Sequence, residues 1–147
     1  MDLRRATSIG LRITIAAAFL SAVADRLGLW GGAGDAGVVW GNFDAFLEYT
    51  ALLNPFLPPT PLYVLGVFVT VLEVALAVLL LVGLRLREVA FSSGALLMLF
   101  ALSMTINIGL KAPLDYGVFT AAAAAMALGA FAPQSSKRQK LGSHLSI

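Results

Sequence analysis

The sequence contains no cysteine and a single histidine, and these two scarcities exclude several kinds of chemistry. Without cysteine there can be no disulfide, thiol nucleophile, iron–sulfur cluster or thiolate-bound zinc. The one histidine, His144, lies in a polar C-terminal tail, so a histidine-ligated haem inside a membrane is excluded as well. We therefore expect no intrinsic metal site and no self-contained catalytic or redox motif. The sequence leaves open whether the chain is an enzyme.

Charged residues are also scarce, since they make up 12% of the 147 residues, whereas hydrophobic residues make up 59%. A soluble domain usually carries about twice that charged fraction. A chain this short could not bury so much apolar surface in a water-soluble core. The net charge of +2 is too small to indicate nucleic-acid binding. The composition predicts a protein whose solvent is the lipid bilayer.

Four apolar runs are long enough to cross a membrane, which takes roughly 20 residues. They are continuous rather than alternating, so they indicate helices and not barrel strands. The sequence thus predicts an all-α integral membrane protein, with a four-transmembrane-helix bundle as a single domain over residues 1–132 and a polar cytoplasmic tail over residues 133–147. The predicted spans are residues 9–29, 62–84, 89–110 and 114–132.

The one long connection, residues 30–61, joins the first two predicted spans. Apolar and polar positions separate at helical spacing between Asp44 and Leu53, which predicts a short amphipathic helix that lies along the membrane surface or caps the bundle. The proline-rich stretch 54–61 ends that helix and begins the second span. We expect this outer loop to form a lid over one end of the bundle.

Lysine and arginine are distributed unequally between the two sides of the predicted bundle. Eight lie on one side, and two, Arg26 and Lys111, lie on the other. The positive-inside rule then places both termini in the cytoplasm and the long loop outside, as in a multi-pass protein of a bacterial or archaeal inner membrane. The alternative is a signal peptide cleaved after the A-x-A pattern of residues 22–24. Against it, Arg12 interrupts the apolar run, and the run continues past that pattern.

Several ionisable groups lie within or beside the predicted spans, where each costs roughly 2.5–3.5 kcal/mol to insert. Glu73 lies near the middle of the second span, on a small, polar stripe with Thr70 and Ala77 that should face other helices. Because all the polar groups fall in the outer half of the bundle, we expect a buried polar pocket beneath the outer loop. Its predicted lining is Asp25, Arg26, Glu73, Asn107, Lys111 and Asp115, and its predicted lid includes Trp30, Trp40, Asn42, Tyr49 and Tyr116.

The predicted pocket can be interpreted as a functional site or as a structural network of salt bridges and hydrogen bonds. Lys111 belongs to it because Ser103, Asn107 and Lys111 follow one another at four-residue intervals on the third span. The pocket would contain three acids and two bases, so a neutral Glu73 would bring its net charge to zero. Desolvation favours that state because it disfavours an ionised carboxyl. The same groups also suit a structural network that holds the helices in register. Trp30, Trp40 and Tyr116 also suit a belt of aromatic residues at the membrane interface.

Five short motifs are spread over residues 9–132: the stretch from Ala24 to Gly31, Trp40-Gly41-Asn42-Phe43, the Asn54-Pro55-Phe56 turn, Glu73 ahead of a leucine-rich run, and the stretch from Lys111 to Tyr116. Together they resemble the motifs of the DoxX-like membrane proteins. The resemblance implies a four-helix bundle from a family named for a small subunit of a quinone-reducing thiosulfate oxidoreductase, with distant relatives that act as assembly factors. The thiol chemistry that cysteine-bearing relatives suggest cannot apply to a chain without cysteine.

Three functions follow as expectations. The first is a small quinone-contacting or accessory subunit of a membrane oxidoreductase, whose pocket binds a quinone or lipid while a membrane or periplasmic partner supplies electrons. The second is a non-catalytic binding protein or assembly factor for another membrane protein. The third is a transporter of a small solute or a proton-coupled carrier, for which the chain would have to form a homo-oligomer. Clear inverted repeats or broken helices, which would favour the third, are not evident in the sequence.

Overall fold

The computed structural model describes residues 2–132, and helices make up most of that stretch of the chain. The predicted tail, residues 133–147, lies outside the described residues, and so does His144. No strand occurs within residues 2–132, so the prediction of an all-α fold is confirmed there. The helices in chain order are α1 (Leu3–Arg26), α2 (Phe43–Leu53), α3 (Pro59–Val82), α4 (Leu86–Ile108), α5 (Lys111–Asp115) and α6 (Val118–Phe131).

Three helices, α1, α3 and α4, are long and apolar enough to cross a membrane, with 24, 24 and 23 residues. The fourth predicted span, residues 114–132, is divided instead between the end of the five-residue α5 and the fourteen-residue α6. Gly117 separates the two helices and has a φ of 64°. At 1.5 Å per residue, α6 alone is about 21 Å long, which is less than the thickness of the hydrocarbon core.

The ends of the helices follow from the local sequence. Asp2 and Asn42 cap α1 and α2, because their side chains accept a hydrogen bond from a backbone N–H group in the first turn. Helix α3 begins at Pro59, whose missing N–H costs nothing in the first turn. Gly83 ends α3 with a φ of 78°, a left-handed conformation that glycine adopts without steric strain.

The long helices pack as two antiparallel pairs, α1 with α3 and α4 with α6. Small residues bring α4 close to α6: a Cβ at Gly94 would lie 2.7 Å from Met126 Cγ, and Ser93 and Ala125 are fully buried. Close contact of this kind favours helix association in lipid, where no hydrophobic effect drives it. The core where the pairs meet includes Ile15, Phe19, Leu76, Leu80, Leu96 and Leu128.

Arg12 joins α1 to the end of α3. Its Nε and Nη2 donate to the carbonyl oxygens of Leu80 and Leu81, at 2.7 and 2.6 Å. These carbonyls lie in the last turn of α3, where no later N–H group of the helix can bond them. A cation is also favourable at a helix C-terminus because of the helix dipole. The arginine that interrupts the apolar run of α1 therefore caps the neighbouring helix.

Helix α2 lies across one end of the bundle and contacts α1, α3 and α4. Gly66 of α3 allows this approach, since a Cβ there would lie 2.6 Å from Leu47 Cδ2 and 3.4 Å from Phe46. Phe46 and Thr50 form the buried face of α2. The prediction of a short helix between Asp44 and Leu53 is confirmed by α2, which lies over one end of the bundle.

Candidate functional site

A buried ion pair between α1 and α3 forms the centre of the candidate site. Arg26 Nη1 and Nη2 donate to Glu73 Oε2 and Oε1, at 2.5 and 3.1 Å, and Nη1 also donates to Thr70 Oγ1 at 3.1 Å. The side chains of Arg26 and Glu73 are 3% and 2% exposed. Two parallel N–H···O bonds are the arrangement that an ionised carboxylate makes with a guanidinium. This pairing places Glu73 on the inward face of α3, directly against a cation.

Aromatic rings of the outer loop and α2 cover the guanidinium of Arg26. Its Cζ lies 4.0 Å from the ring centroid of Phe46 and 5.2 Å from that of Trp40. Trp40 in turn packs edge-on against Phe46, with the centroids 5.3 Å apart, and against Tyr49 at 5.9 Å. A desolvated cation–π contact contributes about 2 kcal/mol. The rings therefore offset some of the hydration that Arg26 loses on burial.

Asp25 binds the outer loop and is not a member of the ion pair. Its Oδ1 accepts hydrogen bonds from the backbone N–H groups of Trp40 and Gly41, at 3.0 and 2.8 Å. Its Oδ2 accepts one from Val39 at 2.9 Å. Three backbone N–H groups stabilise the ionised form of a buried carboxylate. Two consecutive residues thus have separate roles, because Asp25 fixes the loop whereas Arg26 fixes α3.

Gly41 allows the loop to fold tightly where Asp25 holds it. Its φ is 72°, and a Cβ at this position would lie 2.3 Å from the backbone nitrogen of Ala33. Both features exclude any residue but glycine without a shift of the backbone. The next residue, Asn42, was predicted to belong to the lid, but its Oδ1 accepts from Ala45 N at the start of α2 and it is absent from the cavity wall. Asn42 therefore positions α2.

A cavity of about 960 Å³ lies beside the ion pair. Its wall is mostly apolar and combines the outer loop and α2 with residues of α1, α3, α4 and the start of α6. Phe68 on α3 and Leu99 on α4 belong to this wall and are 60% and 61% exposed, so the cavity reaches the apolar surface of the bundle. The volume lies within the range of about 300–1,000 Å³ that is usual for small-molecule sites. The polar residues of the wall include Asp25, Arg26, Tyr49, Thr50, Glu73 and Ser103.

Four of the five predicted lid residues contribute to the cavity wall: Trp30, Trp40, Tyr49 and Tyr116. Trp30 and Tyr116 are 62% and 63% exposed, so they form its rim, and the indole N–H of Trp30 donates to the carbonyl and hydroxyl oxygens of Ser21. Burial raises the pKa of the Tyr49 phenol, and Tyr116 raises it further. Tyr49 is therefore a neutral hydroxyl at physiological pH.

Two predicted pocket residues, Lys111 and Asp115, lie outside the cavity. The prediction assumed that Ser103, Asn107 and Lys111 lie on one continuous helix. Gly109, with a φ of 97°, instead ends α4 at Ile108, so that Lys111 begins the separate helix α5. Lys111 and Asp115 form a salt bridge with each other at the surface, where their side chains are 85% and 57% exposed. The predicted cluster of three acids and two bases is therefore reduced to Asp25, Arg26 and Glu73.

Asn107 also lies outside the cavity wall, although it was predicted to line the pocket. Its side-chain nitrogen donates to the carbonyl oxygens of Leu53 and Ser103, both at 3.0 Å. Asn107 thereby links the last turn of α4 to the end of α2. This contact is structural, because it holds the capping helix on the bundle.

The sequence-based prediction omits two residues that complete the site, Phe46 and Thr50. Phe46 provides the ring nearest to Arg26, and Thr50 lines the cavity one turn further along α2. The sequence could have indicated both residues, because they lie four positions apart on a helix predicted to be amphipathic. Residues at that spacing share one face of a helix, and here that face covers the bundle.

Within residues 2–132, no three histidine, cysteine, aspartate or glutamate side chains are placed to bind a metal ion together. The described stretch of the chain is thus an all-helical protein with three helices able to cross a membrane and an amphipathic cavity beside a buried ion pair. Comparison of the chain with protein-family models, with curated proteins and with solved structures finds no match.

Proposed function

We propose that the chain is a DoxX-like integral membrane protein that binds a lipid-soluble quinone, as a small accessory subunit of a membrane oxidoreductase. The observation that carries the proposal is the cavity of about 960 Å³, in which a mostly apolar wall meets the Arg26–Glu73 pair. A quinone has a flat ring with carbonyl oxygens and a long apolar chain, so it matches both regions of the wall. In this proposal the apolar tail of the bound quinone extends between Phe68 and Leu99 into the lipid.

The proposal includes a fourth membrane crossing, made by α5 and α6 together. The basic residues support an orientation with both termini in the cytoplasm of a bacterial or archaeal cell and the cavity toward the outside. Arg12 contacts the C-terminal turn of α3, so the N-terminal half of α1 lies beside the end of α3. Arg4, at the start of α1, and Arg85, just after α3, are then on the same side of the membrane.

An accessory role is consistent with the residues at the site. Arg26 and Glu73 can bind and orient a head group, but neither can carry electrons. The chain has no cysteine and only one histidine, His144. Electrons for a bound quinone would therefore come from a partner, a membrane or periplasmic oxidoreductase, as the resemblance to the DoxX-like proteins also implies.

Quinone binding is the direct test of this proposal. Protein purified in lipid nanodiscs would be extracted for endogenous quinone and then titrated with decylubiquinone, and we expect saturable binding. Ala18→Phe, which adds a ring to the cavity wall, should weaken binding by about tenfold or more. Ala17→Phe is the matched control, because Ala17 is exposed and lies outside the wall, and its binding should be normal. Absence of both endogenous quinone and saturable binding would refute the proposal.

Two other results would favour the other functions. Co-purification with a second membrane protein that persists in Glu73→Gln, without quinone binding, would indicate an assembly factor. Flux of a small solute into proteoliposomes would indicate a transporter. Both measurements use the same purified protein.

A further inference from the structure

Two half-buried hydroxyl groups of the cavity wall, those of Tyr49 on α2 and Ser103 on α4, form no hydrogen bond within residues 2–132. The side-chain atoms of that stretch that are both inaccessible and without a partner do not include either oxygen. Both oxygens therefore have accessible surface. Since both residues line the cavity, their hydroxyls are available to a ligand there.

Ser103 differs from the other hydroxyl-bearing residues of α4 that are not exposed. Ser93 and Thr105 each donate to the carbonyl oxygen four residues earlier in the helix, at 2.8 and 2.7 Å. That carbonyl is the usual local partner of a hydroxyl within a helix. Ser103 forms no such bond, so its hydroxyl keeps its capacity to donate.

The contact between α2 and α4 brings Tyr49 and Ser103 to the same part of the cavity. Asn107 Nδ2 donates to the carbonyl oxygens of both Leu53 and Ser103, each at 3.0 Å, so these two backbone groups are neighbours. Tyr49 lies one turn before Leu53 on the same face of α2. Both of these α2 residues line the cavity, as Ser103 does.

This part of the wall adjoins the ion pair through Trp40. The ring centroid of Trp40 lies 5.9 Å from that of Tyr49 and 5.2 Å from Arg26 Cζ. The donors nearest to the ion pair are already committed or enclosed: both Nη atoms of Arg26 bind Glu73, whereas Arg26 Nε and Trp40 Nε1 are inaccessible. Tyr49 is protonated at neutral pH, because burial raises its pKa, so it supplies an accessible donor beside these groups.

We propose that Tyr49 and Ser103 bind the head group of the quinone, each by donating a hydrogen bond from its hydroxyl to a carbonyl oxygen of the ring. The carbonyl oxygens of a quinone accept hydrogen bonds and cannot donate them, so they require donors from the protein. The inference rests on the proposed function, to which it adds the residues that hold the head group. The Arg26–Glu73 pair then forms the polar boundary next to the bound ring.

Tyr49→Phe and Ser103→Ala each remove one hydroxyl. The melting temperature of the full-length protein in nanodiscs, followed by circular dichroism against decylubiquinone concentration, gives the dissociation constant. We expect each variant to weaken binding by about fivefold, which is the usual effect of one lost hydrogen bond. The melting temperature without ligand should stay almost unchanged, because neither hydroxyl has a partner in the described chain.

Two comparisons separate hydrogen bonding from the shape of the cavity. Tyr63→Phe and Ser92→Ala remove the same groups from exposed residues outside the wall, so their affinity should equal that of the wild type. Decylbenzene has a ring and an apolar tail but no carbonyl group, so the wild type, Tyr49→Phe and Ser103→Ala should bind it equally.

The carbonyl vibration of the bound quinone provides a readout that packing alone would not change. A hydrogen bond lowers the stretching frequency of a carbonyl group, and the difference between spectra with unlabelled and carbonyl-¹³C-labelled decylubiquinone isolates this band from the protein amide bands. We expect the band to lie lower in the wild type than in protein-free lipid, and to move upward in Tyr49→Phe and in Ser103→Ala.

The possible outcomes distinguish the inference from the proposed function. Normal quinone affinity and an unshifted band in both variants would overturn the inference and leave the proposed function standing, and an effect of one variant alone would exclude the other residue. Equal losses of affinity for decylubiquinone and decylbenzene would also overturn it, since they would show a change of shape. Absence of saturable quinone binding by the wild type would refute both. If one variant does not fold, the other variant and the wild-type band decide the inference.

Discussion

Glu73→Gln tests the most costly element of the structure, the buried ion pair. The substitution preserves the size of the side chain and removes its charge, so that Arg26 remains charged at 3% exposure. Loss of one partner from a buried pair usually costs about 3–5 kcal/mol. Glutamine can still accept one hydrogen bond, and the ring of Phe46 remains 4.0 Å from the Arg26 Cζ. We therefore expect a loss of about 3 kcal/mol in the free energy of unfolding, at the lower end of that range.

Unfolding in mixed micelles with a rising fraction of sodium dodecyl sulfate, followed by far-ultraviolet circular dichroism, measures this free energy. Asp115→Asn is the matched control, because it removes one charge from the exposed pair with Lys111 and should cost about 0.5 kcal/mol or less. The double variant Arg26→Met/Glu73→Met replaces both charges by apolar groups of similar size. It should recover most of the lost stability, since an apolar pair is often as stable as a buried ion pair.

Two results would refute this account of the ion pair. A loss below about 1 kcal/mol for Glu73→Gln would show that Arg26 reaches water or lipid head groups when its partner is gone. A double variant as unstable as the single one would show that the loss arises from packing and not from an unpaired charge.

Three further substitutions test the outer loop and the end of α3. Asp25→Asn retains one acceptor oxygen in place of two, so limited proteolysis should cut the loop faster while helix content stays constant. An unchanged cleavage rate would show that Asp25 does not hold the loop. Gly41→Ala should prevent the loop from folding tightly, because the new Cβ would lie 2.3 Å from the backbone nitrogen of Ala33, and amide hydrogen exchange in the loop should become faster. Gly34→Ala is the control, because its Cβ would meet open space, and it should cost only about 1–2 kcal/mol of stability. Gly83→Ala should lower the free energy of unfolding by about 2 kcal/mol, since the φ of 78° and a contact of 2.6 Å with Arg12 both disfavour it; an unaltered melting curve would contradict this.

Hydropathy was sufficient to predict α1, α3 and α4, because solvation by lipid acts on each apolar run independently of the rest of the chain. The last predicted span, residues 114–132, is interrupted in the structure for a local reason. Gly117 adopts a left-handed conformation between Asp115 and Val118, and this break in the helix leaves no trace in hydropathy. Helix α2 was predictable because a helix that covers a bundle needs one apolar face.

The polar contacts were only partly predictable. Spacing along α3 predicted that Glu73 faces inward, but its partner Arg26 is 47 positions away and could equally have reached the membrane surface. The structure places Lys111 outside the cavity because a single residue, Gly109, ends α4 before it. The role of Arg12 had no signal in the sequence, because the carbonyl oxygens that it binds are distant in the chain and belong to the backbone.

Arg12 and Arg26 fasten α1 to α3 at two points, about 21 Å apart along the axis of α1. A slide of one helical turn, or a rotation of either helix, would break both attachments together. The two attachments therefore favour movement of α1 and α3 as one unit, with relative motion at the boundary between this unit and α4 and α6. The exposed cavity wall at Phe68 and Leu99 lies on that boundary, so a molecule from the bilayer can enter the interior there without separating α1 from α3.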